Sequence, residues 1–402
     1  MFFALKGPRF NANALASQAL EKGASYAVID EPEHVVDDRC ILVDDVLMSL
    51  QHLARHHRRS FELPVLAITG SNGKTTTKEL INAVMSASRP TLATSGNLNN
   101  HIGVPITLLQ LRPSHRFAIV EMGANKPGDI RELMAIAEPT HGLITNIGRA
   151  HLEGFGGIAG VVRTKTEMYS WLGGHSGEVL VNSDDALLME HSTGLRERWT
   201  YGGSTDARTQ GGITQDDHRL TFWFRKTDGA PIKVRTQLVG GYNLPNALAA
   251  VATGQLFAVE DALIVKAIEE FTPGNHRSQW IETGRNEVIL DAYNANPTSV
   301  EVALRNLAGT ATSKPKLAVL GDMLELGSEG PAEHARVIRL CDELGLPAVF
   351  VGPLFKHAAD GHSAYNGVAE LIEEWSPRPP IDQLILLKGS RGMRMETLLS
   401  AL

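Results

Sequence analysis

The chain has 402 residues, and its 45 Asp and Glu against 38 Lys and Arg leave a formal charge of -7 with no long basic stripe, which excludes a nucleic-acid partner held on a cationic face. A hydrophobic content of 43%, with 38 Gly and 19 Pro, excludes extended disorder and collagen-like structure and sets the expectation at two or three domains. Two widely spaced cysteines and the lack of any apolar run near 18 residues exclude a disulfide scaffold and membrane insertion, so a reducing, cytoplasmic setting is expected.

Phe2 to Leu5 reads as a buried strand. Helical spacing through Leu15, Ala19 and Leu20 runs to Gly23, and the apolar runs Tyr26 to Ile29 and Cys40 to Val43 read as strands of a small α/β unit of about sixty residues. Gln51 to Ser60, QHLARHHRRS, reads as a solvated helix end leading into a linker, because charge runs usually face water. Pro64 to Thr69 is a short apolar run that stops at Gly70, and Lys74 to Ala87 then has helical spacing through Leu80 and Val84. Strand, glycine turn and helix make the βα unit of a nucleotide-binding sheet.

Further strands are expected at Arg116 to Glu121, Gly142 to Asn146 and Val179 to Asn182. Between Tyr201 and Gly240, Leu220, Phe222 and Phe224 alternate with Thr221 and Trp223, and Ile232 and Val234 follow, which marks an antiparallel insertion. After Thr272, Pro273 and Gly274 the α/β rhythm restarts, with strands Val288 to Leu290, Leu317 to Leu320, Ala348 to Val351 and Gln383 to Leu387 separated by helices, one of them starting at Ser299. A separate, mostly parallel sheet is expected there, and the segments near Ser60 and Gly274 are expected to serve as hinges.

Chemistry concentrates first in Thr69 to Thr77, TGSNGKTTT. Gly70 and Gly73 let the backbone turn and aim N–H groups at phosphate oxygens, Lys74 can reach the terminal phosphates, and Thr75 can ligate Mg2+. The spacing departs from the general phosphate loop, whose first glycine would fall on Ile68. Glu121 follows a strand at the carboxyl end, where it can hold Mg2+ or stand as an exposed carboxylate. Taken singly, His151 and Lys165 are as ambiguous as Glu121, since a lone histidine is more often structural than catalytic and a lone lysine in a helical stretch usually faces solvent.

Ten segments in order carry a resemblance: TGSNGKTT, GNLNNHIGVPITLL (96–109), VEMGA (120–124), ITNIGRAHLEGFG (144–156), KTEMY (165–169), GGYNLPNALAA (240–250), GNHRSQ (274–279), LDAYNANPTS (290–299), LGDMLELG (320–327) and LKGSRGM (387–393). Together they resemble the Mur ligases of peptidoglycan synthesis over nearly the whole chain, above all the branch that adds D-alanyl-D-alanine. The resemblance implies a three-domain α/β protein: residues 1–61 a small UDP-substrate-binding domain, 62–274 a central ATP-binding domain with a phosphate-loop parallel sheet and antiparallel insertion, and 275–402 a Rossmann-like ligase domain. Family members carry further residues before FFALKG, so the first domain is expected to be shortened.

The implied reaction is ATP-dependent ligation of D-alanyl-D-alanine to UDP-N-acetylmuramoyl-tripeptide through an acyl phosphate, by a monomer. Residue by residue, Gly70, Ser71, Asn72, Gly73, Lys74, Thr75 and Thr76 match the phosphate cradle, and Thr75 and Glu121 match the ligands of one Mg2+. His151 matches a contributor to a second Mg2+, and Lys165 the lysine that the family carbamylates. Asn246 matches the adenine contact, Arg277 a phosphate-facing arginine and Asp291 the ribose contact. Asn97, Asn99 and Asn100 match the substrate cleft, while Lys388, Ser390 and Arg391 lie where a cationic pair could hold the dipeptide carboxylate. No Asn-Pro-Arg signature of the amino-acid-adding branch occurs, which favours the dipeptide. The competing readings are another ligase of this type, including one like folylpolyglutamate synthase, and an ATP-binding protein without catalysis.

Overall fold

Val65–Thr69, VLAIT, is buried at every position, which a strand permits only when both faces of its sheet are covered. A computed structural model, which describes residues 1–149, 152–216, 219–226, 229–274, 277–359 and 361–402, places this strand inside a sheet of nine. The order is Ile232–Arg235, Leu220–Lys226, Thr209–Asp216, Arg198–Gly202, Glu178–Asn182, His141–Ile144, Val65–Thr69, Phe117–Glu121 and Thr91–Ala93. Pairing is parallel from Thr91–Ala93 through to Thr209–Asp216. The two-residue period of the strands splits their side chains between two cores: Val65, Ala67, Ala118 and Val120 pack on one face, and Leu66, Ile68, Phe117 and Ile119 on the other.

Register decides where chemistry can occur. Ile68 pairs with Glu121 and Thr69 with Ile144, so the carboxyl ends of three adjacent strands open at one level beside Gly70. The expected antiparallel insertion exists and continues this same sheet. Thr209 pairs in parallel with Tyr201, the chain turns back through Leu220–Lys226 and Ile232–Arg235, and Phe222 and Phe224 join the core beneath helix Leu244–Leu256.

The C-terminal sheet runs Gln279–Glu282, Glu287–Asp291, Leu384–Lys388, Lys316–Gly321, Ala348–Val351 and Ser363–Tyr365, parallel except for the first pair. The helix expected from Ser299 starts earlier, at Pro297–Gly309, because Asn296 forms a capping box with Ser299 and Pro297 needs no helical donor in the first turn.

The N-terminal unit is thin. Phe2–Phe3, Ala27–Ile29 and Cys40–Leu42 form a parallel sheet over a core of Ala4, Ala12, Ala16, Leu20, Ala27 and Ile29. Helix Val46–Arg59 leaves it and reaches the central domain, where its Ala54 joins the central core. The solvated reading of QHLARHHRRS holds for the exposed His52, His56, Arg59 and Ser60 and is corrected at Arg58. Arg58 is only 7% exposed, and its guanidinium donates to the backbone oxygens of Phe61 at 2.9 Å, Ala137 at 3.2 Å and Glu138 at 3.2 Å. Helix Asp129–Ala137 ends at those last two residues, so Arg58 supplies donors to carbonyls that the helix leaves unpaired. His57 lies 3.0 Å from the Leu111 oxygen and Arg59 pairs with Glu138, so the segment near Ser60 is pinned at its helical end.

Side-chain contacts tie the C-terminal domain to the central one beside the phosphate loop. Asn296 donates to the Asn72 side-chain oxygen at 2.8 Å, the Arg149 amide donates to Thr298 Oγ1 at 3.0 Å, and the Arg149 guanidinium meets Glu333 at 2.8 Å. Among the described residues, no helix is long and apolar enough to cross a membrane.

Candidate active site

The loop between Val65–Thr69 and helix Lys74–Ser86 is shaped by two glycines in left-handed conformations. Gly70 has φ +141, and a Cβ there would lie 2.0 Å from Thr145 Oγ1; Gly73 has φ +79, and a Cβ would lie 2.6 Å from Asn246 Oδ1. Only glycine satisfies both the turn and the space. The loop is braced from behind by Asn146, whose side-chain oxygen accepts from the Asn72 amide at 3.0 Å and whose amide group donates to the Asn72 oxygen at 2.9 Å. Ser71 Oγ exchanges hydrogen bonds with the Gly148 backbone.

Lys74 turns its ammonium back onto the loop, donating to the Gly70 oxygen at 2.6 Å and the Ser71 oxygen at 3.2 Å. Burial pulls its pKa down to about 8, against the opposing pull of Glu121. Both acceptors are neutral carbonyls, so neither neutralises the ammonium and its charge can be turned to a phosphate.

Glu121 is 2% exposed at its strand end. Its Oε1 accepts from Asn99 at 2.9 Å and from Thr75 Oγ1 at 3.3 Å, whereas Oε2 is buried without a hydrogen-bond partner. A buried carboxylate oxygen left without a donor is costly unless a cation meets it. Together with the Thr75 hydroxyl this donor set fits Mg2+, a hard cation that takes oxygen ligands.

Lys165, on helix Ile158–Gly174, is 2% exposed, with Nζ 3.4 Å from Thr69 Oγ1 and 5.8 Å from the Phe155 ring centroid. Burial holds its ammonium well below the ordinary lysine value and Lys74 lowers it further, while Asp129 and Glu167 pull the other way. The solvent-facing reading of Lys165 is thus corrected; it sits behind the cleft and does not line it. His151 lies outside the described residues.

The cleft encloses about 1090 Å³ between the central and C-terminal domains. Ser71 to Thr76, Asn97, Asn99, Asn100, Glu121, Asn246, Arg277, Asp291, Lys388, Ser390 and Arg391 all line it, and among the described residues none from 1–61 does. Several of these side chains already have work within the fold. Asn100 Oδ1 accepts from the Ile102 and Gly103 amides at the start of helix Gly103–Leu108, and Ser390 Oγ accepts from the Leu324 amide at 2.9 Å. Asn246 accepts from Thr77 Oγ1 at 3.0 Å and donates to Asn243 at 2.9 Å.

The expected cationic pair Lys388 and Arg391 is also revised. Lys388 Nζ is held 2.6 Å from Asp291 Oδ2 and 3.2 Å from the Asn294 oxygen, because the parallel register sets Asp291 beside Lys388. Arg391 instead stands over Tyr293, 5.4 Å from the ring centroid, with Arg277 over the same ring at 3.8 Å. Tyr293, Asn296, Thr145 and Asn146 had no role assigned from the sequence. Asn296-Pro297 carries a helix-start signature that identifies the cap, but nothing local points to its bond across to Asn72.

The model of the Mur ligase middle domain matches residues 68–254, and that of the Mur ligase, glutamate ligase domain matches 276–391. A curated relative from Escherichia coli (strain K12), UDP-N-acetylmuramoyl-tripeptide--D-alanyl-D-alanine ligase, is 34% identical over 416 residues, covering 100% of this chain and 90% of its own. The chain belongs to the Mur ligase family. Solved Mur ligase structures agree: MurF from Acinetobacter baumannii is 34% identical with a TM-score of 0.89, covering 99% of this chain and 89% of that one. MurF from Thermotoga maritima, solved in complex with ADP, is 25% identical with a TM-score of 0.88, covering 99% and 92%. The α/β Mur ligase architecture expected from the motifs is borne out, and with it an ATP-dependent, amide-bond-forming ligase.

Proposed function

We propose that this Mur ligase joins D-alanyl-D-alanine to UDP-N-acetylmuramoyl-tripeptide with ATP, as a cytoplasmic monomer, yielding the pentapeptide, ADP and phosphate. One observation carries the reading: a single cavity has a phosphate loop and Glu121 on one wall and Arg277 and Arg391 on the other. A carboxylate and a γ-phosphate are both anionic, so a site that brings them into line must surround them with positive charge.

The amides of Asn72 to Thr76 and the Lys74 ammonium orient the nucleotide phosphates, Lys74 leaving the Gly70 and Ser71 carbonyls to do so. Thr75 and Glu121 would hold Mg2+, which when bound supplies charge that offsets the phosphates. Asn246 and Asp291 face the adenine and ribose, and Asn97, Asn99 and Asn100 the peptide donor. Phosphorylation turns the tripeptide carboxylate into an acyl phosphate. The dipeptide amine then attacks the acyl carbon, forming the C–N bond of a tetrahedral intermediate, which collapses as the C–O bond to phosphate breaks and the surplus amine proton leaves with the phosphate, the incoming carboxylate lying near Arg391. The Asn72–Asn296 bond ties the C-terminal domain to the loop, and further closure of the cleft would exclude water from the reactive anhydride.

Lys165 is proposed to react as a carbamate: burial and Lys74 lower its pKa and so favour the amine form, which bonds CO2 with loss of one proton and becomes an anionic oxygen donor. With His151 it would hold a second Mg2+. Lys165→Ala should lose activity and regain part of it with short carboxylates; full activity in the variant refutes the role.

Mass-spectrometric detection of product, with ATP, Mg2+, UDP-N-acetylmuramoyl-tripeptide and D-alanyl-D-alanine each omitted in turn, tests the whole reading. A pentapeptide that requires all four is expected. Product with a single amino acid but not with the dipeptide would overturn it.

A further inference from the structure

The Tyr293 ring contacts two arginines that come from different parts of the chain. The Arg277 guanidinium stands 3.8 Å from its ring centroid and the Arg391 guanidinium 5.4 Å, and all three side chains line the cleft. Sheet register assembles them: Gln279 pairs with Leu290 in the antiparallel pair, and Asp291 pairs with Lys388 in the parallel one. Arg277, Tyr293 and Arg391 therefore leave three adjacent strands at the same end of the sheet. Among the described residues no carboxylate pairs with either arginine, and Arg277 Nε is buried without a hydrogen-bond partner.

An arginine is usually held in place by a carboxylate, which neutralises it and occupies its in-plane donors. An aromatic face holds the guanidinium through the ring quadrupole instead, leaving the charge and the N–H edge available to another anion. Two cations sharing one ring also repel each other, so an anion arriving at one relieves the other. We propose that Tyr293 is a positioning residue that presents Arg277 to the nucleotide phosphates and Arg391 to the dipeptide carboxylate, and links the binding of the two. The proposal rests on the functional reading above for the identity of the two anions.

The test compares Tyr293→Leu with Tyr293→Phe in the full chain, measuring ATP affinity by calorimetry with Mg2+ and KM for D-alanyl-D-alanine in the coupled assay. Leucine should raise both constants about tenfold, and phenylalanine, which keeps the ring face, should hold both within about twofold. A merely structural residue would not show that split. Unchanged constants in Tyr293→Leu, or equal damage from phenylalanine, overturn the proposal, and a rise in only one constant overturns the link. If the leucine variant does not fold, stepwise ring fluorination at this position weakens the quadrupole at constant shape and should raise the ATP Kd step by step; a flat series refutes the cation contact. If wild-type chain binds ATP but forms no pentapeptide, the functional reading fails, and the difference between leucine and phenylalanine in ATP affinity still decides whether the ring positions Arg277.

Discussion

Replacing Lys388 by Met distinguishes an internal anchor from a ligand-binding lysine. Its Nζ is 2.6 Å from Asp291 Oδ2, with the lysine side chain 2% exposed and the aspartate 17%. At that separation and an effective dielectric constant of about 20, the attraction is about 6 kcal/mol, much of it offset by dehydration of the ammonium. Removing the lysine strands a largely buried carboxylate and also deprives the Asn294 oxygen of a donor. The expected loss is about 3 kcal/mol, the lower end for a broken buried pair because Asp291 retains some water. Hydrogen exchange of the Leu384–Lys388 amides measures it locally, and about 3 kcal/mol corresponds to exchange about 150-fold faster. Adding Asp291→Asn should recover about 2 kcal/mol, since the two residues act as a pair. Unchanged exchange in Lys388→Met together with a raised KM for the dipeptide would refute the anchor and return Lys388 to the acceptor site.

Gly73→Ala must adopt φ +79 with a Cβ 2.6 Å from Asn246 Oδ1, so ATP affinity should fall at least about tenfold by calorimetry, and an unchanged Kd would contradict the loop geometry. Arg58→Met leaves three backbone oxygens without their donor and should cost about 2 kcal/mol, read as faster proteolysis near residue 60; a resistant variant would show that the helix docks without it. His141, against Phe257, is held neutral by burial, its pKa down from 6.5 to about 4. The unfolded chain binds the extra proton first, so His141 contributes full stability above about pH 6.5 and loses up to about 3 kcal/mol as the pH falls toward 4. His141→Gln should flatten urea midpoints across that window, and an unaltered acid slope would refute the assignment.

What the sequence alone determined was whatever physics operates over neighbouring residues. TGSNGKTTT is legible because a turn, its glycines and the helix that follows are contiguous, and the strands are legible because burial on two faces demands an unbroken apolar run such as VLAIT. The short edge strands Thr91–Ala93 and Ser363–Tyr365 carry too few residues to show a period, and were found only through their pairing. The motif segments also placed most residues of the cleft, though not such residues as Asn125, Leu133, Asn182 or Asp185. Tertiary structure decided what those residues touch. Glu121 can be an exposed carboxylate or a metal ligand until the sheet buries it and leaves one oxygen without a donor. Lys388 and Arg391 look alike three residues apart, yet parallel register hands one to Asp291 and the other to the Tyr293 ring. Arg58 sits in a charge run that reads as solvated, and only the end of a helix some eighty residues away supplies its carbonyls. Charge and hydrogen-bonding capacity are properties of a residue type, but the partner that uses them is set by strand register and domain packing, which join positions as distant as Asn72 and Asn296.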